Sequence, residues 1–508
     1  MISQYLLSLL IFTPVAGALV LLALPSSLKA YNRWIALVVS IIQIFIAVAI
    51  AGRYQPGQEF QLAERATWID LHFGIKAEYF LAIDGLSFPM VMLAVFVLLI
   101  AVISSWNVTD RPKGYFALLL ILNGAIIGSF CALDLLLFYL FFEFMLLPMY
   151  FLIGIWGGPN REYASIKFFL YTLLGSIFIL LVIIGLYISS GTFALTDLYV
   201  AAPNSIFSVE RPWLILGWPA RNWAFILLLI GFGIKLPMVP LHTWLPDAHV
   251  EASTPISVVL AALLLKVGGY GLLRMAYPLF PDAAIAMSTA VAFIGMLSIV
   301  YGAMNALASK DFKRLIAYSS VSHMGFVLLG ASSATTEGIS GAIYQMTSHG
   351  LISAMLFVIA GVIYDRTHDR TIANYSGLAS KMPVYTTFVL VGFFAALGLP
   401  GLSGFIGEMM VFLGAFSSKL IAGWIAFLSV TGLIFGAGYC LWTIQRMFFG
   451  PYAVKPGVVM NDLDKREKLM LLPLAATIIL LGVLPQLLIK YINPFSSRLI
   501  EIIFNATS

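Results

Sequence analysis

The chain has 508 residues, of which 61% are hydrophobic and 10% charged, with a net charge of +5. Soluble domains carry about 25% charged residues, so this composition excludes a soluble globular protein and points to one that lives in a bilayer. The two cysteines, Cys131 and Cys440, exclude a disulfide framework and any zinc or iron–sulfur spacing, so a bound redox centre is not expected.

Apolar runs long enough to cross a bilayer as helices recur from end to end. Fourteen spans are predicted, centred on 5–24, 33–51, 86–105, 115–131, 135–156, 165–189, 223–245, 256–274, 284–307, 315–331, 339–363, 384–415, 421–445 and 469–489. No sheet pattern and no long soluble domain is expected between them. The start, Met1-Ile2-Ser3-Gln4, lacks the basic stretch of a signal peptide, and no cleavage site follows the first apolar run, so 5–24 is expected to be a retained span. The expected fold class is an all-α polytopic membrane protein.

Loop charges orient the spans. Connections after odd-numbered spans hold 17 basic residues, with the densest clusters at Arg366/Arg370/Lys381 and Arg446/Lys455/Lys465/Arg466/Lys468. The opposite connections hold nine: Arg53, Arg65, Lys76, Arg211, Arg221, Arg274, Lys419, Lys490 and Arg498. The positive-inside rule then places both termini on the non-cytoplasmic side. The surplus positive charge reflects topology, and no nucleic-acid partner is expected.

After an N-terminal segment 1–111, two blocks of similar length follow, 112–277 and 278–449, before a C-terminal segment 450–508. Each block holds five spans, so the second starts on the opposite side from the first. Each contains one interrupted span, at Lys235-Leu236-Pro237 and at Leu399-Pro400-Gly401-Leu402-Ser403-Gly404. Proline and glycine deprive a helix of backbone bonds, and paired broken helices are the mark of inverted transporter repeats.

Ionisable residues fall inside these spans. Lys235 stands beside the proline break, Glu143 is flanked by apolar residues, Lys266 is central in 256–274, and Glu408 follows the glycine-rich break. His323 and His349 lie in Tyr318–His323 and Met346–Gly350, and His242 follows two turns after Lys235. A buried Glu–Lys pair can simply lock helices together, and a lone histidine is as often a hydrogen-bonded core residue as a proton carrier. Four charged groups on four spans favour a pathway, because a charge at bilayer depth costs about 2.5–3.5 kcal/mol and buried pairs stabilise poorly. Desolvation favours a neutral lysine and a nearby carboxylate a charged one, so protonating or moving the carboxylate makes the lysine release its proton. Gly401-x-x-Gly404-x-x-Gly407 has no preceding strand and is read as helix breakage, and His242 and His249 lack a metal-like constellation.

Several runs carry a resemblance: Asp84-Gly85-Leu86-Ser87, Phe142-Glu143 through Tyr150, Lys235-Leu236-Pro237-Met238-Val239-Pro240-Leu241-His242, Trp244-Leu245-Pro246-Asp247-Ala248-His249, Leu264-Leu265-Lys266, Ile316 through Gly325 and Gly404-Phe405-Ile406-Gly407-Glu408. With them the chain resembles, along essentially its whole length, the antiporter-like subunits of respiratory complex I. It looks most like the M-type branch, the counterpart of mitochondrial chain 4. A glutamate at position 408, where N-type chains carry lysine, and the short tail after the fourteenth span, where L-type chains continue, carry that distinction. The resemblance implies proton translocation through Glu143, Lys235, Lys266 and Glu408, assisted by the histidines. It also implies a bacterial plasma membrane location, L-type and N-type neighbours, and flavin, iron–sulfur and quinone chemistry in partner subunits, with no cofactor in this chain. Alternatives are a multisubunit cation/proton antiporter, the equivalent chain of a membrane-bound hydrogenase or ferredoxin-dependent photosynthetic complex, and a structural spacer without transport.

Overall fold

The computed structural model describes residues 5–71, 75–199, 206–208, 213–455 and 459–505; Arg211 and Met1-Ile2-Ser3-Gln4 lie outside them. The main helices are α1 (Leu6–Ala23), α2 (Asn32–Ala51), α3 (Ser87–Ser104), α4 (Pro112–Cys131), α5 (Leu135–Trp156), α6 (Arg161–Ser190), α7 (Ala220–Lys235), α8 (Trp244–Glu251) and α9 (Thr254–Leu279). They continue with α10 (Ser288–Ala308), α11 (Phe312–Ser332), α12 (Thr336–Thr367), α13 (Pro383–Ala396), α14 (Ser403–Ser417), α15 (Gly423–Phe448), α16 (Lys465–Val483) and α17 (Gln486–Asn505). Short polar residues cap four of them. Asp134, Asp311 and Thr335 accept from the first-turn N–H groups of α5, α11 and α12, and Asp464 forms a capping box with Glu467 on α16.

Among the described residues eleven helices are long and apolar enough to cross a membrane, each at an expected span. The two spans expected to be interrupted, 223–245 and 384–415, are pairs of short helices, α7/α8 and α13/α14, parted at the expected proline and glycine breaks, and 469–489 falls on α16, bent by 66° from α17. Helix α17 was not anticipated; it packs across the start of α3, where a Cβ on Gly85 would lie 2.1 Å from the Tyr491 carbonyl.

The expectation of no strands fails between α2 and α3. Gln61–Leu71 (β1) and Ile75–Ile83 (β2) form an antiparallel hairpin. Its residues are too polar to register as apolar runs, yet it closes a helix end: the Glu64 carboxylate accepts from the Leu7 N–H of α1 at 2.7 Å. A further two-residue pairing joins Leu214–Ile215 to Trp218–Pro219.

Burial sorts the helices into a centre and a rim. The most apolar stretches of α9 and α12 are 100% buried and that of α11 is 94% buried, whereas α2 and α15 stand at 33%. A helix apolar all round belongs in the middle, and these three central helices carry Lys266, His323 and His349. Two residues read as loop charges are in fact buried. Arg274 lies in α9 and pairs with Asp84 at 2.5 Å, and Lys313, on α11, donates to the Ala252 carbonyl. Each is bonded to an oxygen, which offsets part of the cost of burying its charge.

Candidate functional site

The two helix breaks set the ends of the site. Lys235 is the last residue of α7, and a Cβ on Gly268 of α9 would stand 2.6 Å from the Leu236 amide nitrogen, so only glycine lets α9 approach the break. The second break turns at Gly398 (φ +77°) and Gly401 (φ +93°), conformations that glycine adopts without strain. A Cβ at Gly398 would come within 2.5 Å of Glu408 Oε2, so this glycine also makes room for the carboxylate.

Between the breaks runs a chain of polar side chains through the centre. Lys266 follows a π-helical stretch, Leu260–Leu264, and its Nζ donates to the Ala261 carbonyl at 2.7 Å and to His349 Nδ1 at 2.6 Å. The π turn widens the helix so that a lysine can bond a carbonyl of its own helix while reaching across to α12. The His349 and His323 ring centroids are 5.3 Å apart. His323 Nδ1 lies 3.3 Å from Glu408 Oε1 and 3.3 Å from Gln345 Nε2. A single ring nitrogen cannot serve both partners at once: protonated it donates to Glu408, bare it accepts from Gln345. Ser348 donates to Ser403 Oγ at 2.8 Å and ties the start of α14 to α12 beside this contact.

Four of the expected residues, Lys266, His349, His323 and Glu408, are therefore brought together on α9, α12, α11 and α14, all nearly excluded from solvent. The other three stand apart. Lys235 Nζ is buried without a hydrogen-bond partner and lies 4.4 Å from the centroid of the Phe142 ring. Glu143, next to that phenylalanine on α5, is half-buried; its Oε1 has no partner, and it is not in ion-pair contact with Lys235. Glu143 and Lys235 are thus linked by electrostatic reach across an aromatic face and not by an ion-pair contact. Glu143 also borders an open face, since Phe144, Leu147 and Phe151 on the same helix are exposed. His242 sits beside Tyr301 and Tyr318, with ring centroids 5.1 and 6.2 Å away, and away from the central chain.

Three residues were not picked out as site members. Gln345 lies four residues before His349 on α12, a helical spacing that could have revealed it. His249 was set aside for want of a metal site; it is fully buried on α8, stacked 4.5 Å from Phe357, and within electrostatic reach of Lys266, His349 and Lys313. Lys313 was counted only as a topology charge; it lines a cavity of about 280 Å³ with Glu251, Ser253, Asp365 and Arg370. Among the described residues no group of three or more His, Cys, Asp or Glu side chains is arranged to hold a metal ion, and both cysteines are free and buried.

Comparison with known proteins places the chain in a family. Residues 132–435 match the family described as NADH:quinone oxidoreductase/Mrp antiporter, transmembrane. NADH-quinone oxidoreductase subunit M of Rhodobacter capsulatus is 42% identical over 98% of this chain and 97% of its own length. NAD(P)H-quinone oxidoreductase chain 4 1 of Synechococcus sp. (strain JA-3-3Ab) is 42% identical over 95% and 90%. A chain of the respiratory complex I from Thermus thermophilus with bound NADH superposes with a TM-score of 0.85 at 31% identity, over 98% of this chain and 99% of that one. A chain of the Mrp complex from Dietzia sp. DQ12-45-1b shares the fold alone, with a TM-score of 0.83 at 20% identity over 99% of both chains. With high identity sustained over nearly its full length, the chain belongs to the NADH:quinone oxidoreductase/Mrp antiporter family of membrane subunits.

Proposed function

We propose that protons cross this membrane-arm subunit of an NADH:quinone oxidoreductase along the buried line Lys266–His349–His323–Glu408. The observation that carries the reading is that line itself: four titratable side chains from four helices, 83 and 85 residues apart in sequence at its two direct contacts, meeting where apolar packing would be more stable. Each member can hold and pass a proton. Lys266 delivers one to His349 Nδ1, the facing imidazole of His323 receives it, and the competition of Gln345 with Glu408 for His323 Nδ1 sets when it moves on. Glu408 lines a cavity of about 590 Å³, most of whose walls are apolar, and stands at the end of the path.

Lys235 and Glu143 form the coupled element of the first half. Withdrawing the Glu143 charge leaves Lys235 over Phe142 with no anion within reach, which favours the neutral amine and releases its proton toward the centre. The energy comes from elsewhere: flavin, iron–sulfur clusters and quinone belong to partner subunits, and L-type and N-type chains are the neighbours on either side. The membrane is the bacterial plasma membrane, with both termini outside the cytoplasm, and the two broken-helix blocks 112–277 and 278–449 are the inverted repeats.

The test uses Glu408→Gln in the assembled complex, with NADH:quinone turnover and proton uptake into inverted vesicles measured together. Loss of uptake is expected. Normal uptake per electron would remove Glu408 from the path. A cation/proton antiporter would instead show exchange without NADH, and co-purification of small antiporter subunits rather than flavin proteins.

A further inference from the structure

We propose that the chain binds the phosphate of an anionic phospholipid in the pocket between the α1–α2 turn and the start of α4. The pocket, about 260 Å³, is lined by Lys29, Arg33, Thr109, Pro112 and Phe116. Two cations converge there, and no carboxylate of the described residues pairs with either; Asp110, the acidic residue nearest in sequence to the α4 side of the pocket, is paired with Arg111 at 4.0 Å. Arg33 is held in place: its guanidinium lies 5.1 Å over the Trp106 ring and donates to the Trp106 carbonyl at 3.4 Å. Its Nε is nevertheless buried without an acceptor. A preorganised guanidinium beside a second cation is a phosphate-binding group. The 20-residue helix α4 adds the positive end of its dipole, with Pro112 in its first turn.

The surroundings identify a lipid rather than a soluble phosphate. Trp34 meets Trp106 edge-on at 4.8 Å, and Tyr31 and Trp34 are exposed at the start of α2, the kind of aromatic residues that anchor helix ends among headgroups. Below them Val38, Ile42 and Phe45 form an exposed apolar stripe on α2, one to three turns from Trp34, along which an acyl chain can lie. Lys29 and Arg33 belong to a connection on the positively charged side, which faces the leaflet whose anionic lipids attract basic segments.

The test is photolabelling of the intact solubilised complex with phosphatidylglycerol or phosphatidylcholine carrying a photoactivatable acyl chain, followed by peptide mapping. The anionic probe should label the α2 stripe roughly thirtyfold more than the zwitterionic one, as expected for two basic contacts. Lys29→Gln with Arg33→Gln should abolish that preference while leaving phosphatidylcholine labelling unchanged. Equal labelling by both lipids in the unmodified complex, or no labelling because a neighbouring subunit covers the stripe, would overturn the proposal without any variant. An anionic preference that persists in the Lys29→Gln, Arg33→Gln variant would overturn it as well.

Discussion

His349 is the joint of the central line, and two substitutions there separate its proton-carrying role from its structural one. Its Nδ1 accepts from Lys266 Nζ at 2.6 Å, and the other lysine contact is the Ala261 carbonyl. His349→Phe removes the acceptor, and a lost hydrogen bond to a charged donor costs about 1.5–3 kcal/mol. His349→Gln offers an amide oxygen in the same region and restores most of that stability, but it cannot titrate. If the imidazole carries protons, both variants lose a step to which a positioned acid–base group contributes about 10²–10⁴-fold, so both should pump at about 1% of normal or less. The measurement is proton uptake by inverted vesicles and NADH:quinone turnover, with thermal stability of the purified complex as the structural control. The expected pattern is a stable, inactive Gln variant and a less stable, inactive Phe variant. Normal proton uptake in the Gln variant would refute the reasoning, because a hydrogen-bond acceptor alone would then suffice.

Lys235 has no hydrogen-bond partner to lose, so its role rests on a removable charge; Lys235→Arg, which keeps the charge but does not readily deprotonate, should impair coupled turnover nearly as much as Lys235→Ala, and full activity in the arginine variant would show that static charge is enough. Glu143→Gln should reduce pumping and turnover tenfold or more in assembled complex, while Glu143→Asp retains part of the function because the charge remains within reach of Lys235; normal pumping by the Gln variant would make Glu143 a structural partner only. For topology, single cysteines at the exposed positions Ala373 and Val459 should resist an impermeant thiol reagent added outside intact cells, whereas one at the exposed Leu216 should react, and the opposite pattern would invert the orientation.

By itself the sequence determined the membrane class, the place of the spans, the two breaks at Pro237 and Pro400–Gly401, and the ionisable residues at bilayer depth. These are legible because transfer into a bilayer is close to a residue-by-residue sum, and because proline and glycine act on their own helix. The polar hairpin of β1 and β2 escaped because its residues carry no long apolar run, and α17 because it is amphipathic, with polar residues breaking its apolar face into short pieces. Only the tertiary structure decided which groups meet. Lys266 touches His349, Lys235 lies over the Phe142 ring without an ion-pair contact to Glu143, and Gln345 competes for His323. It also moved Arg274 and Lys313 from loops to buried contacts. Such pairings depend on how closely helices distant in sequence can approach, as at Gly268, and on the turn widened before Lys266, and neither leaves a periodic signal in the chain.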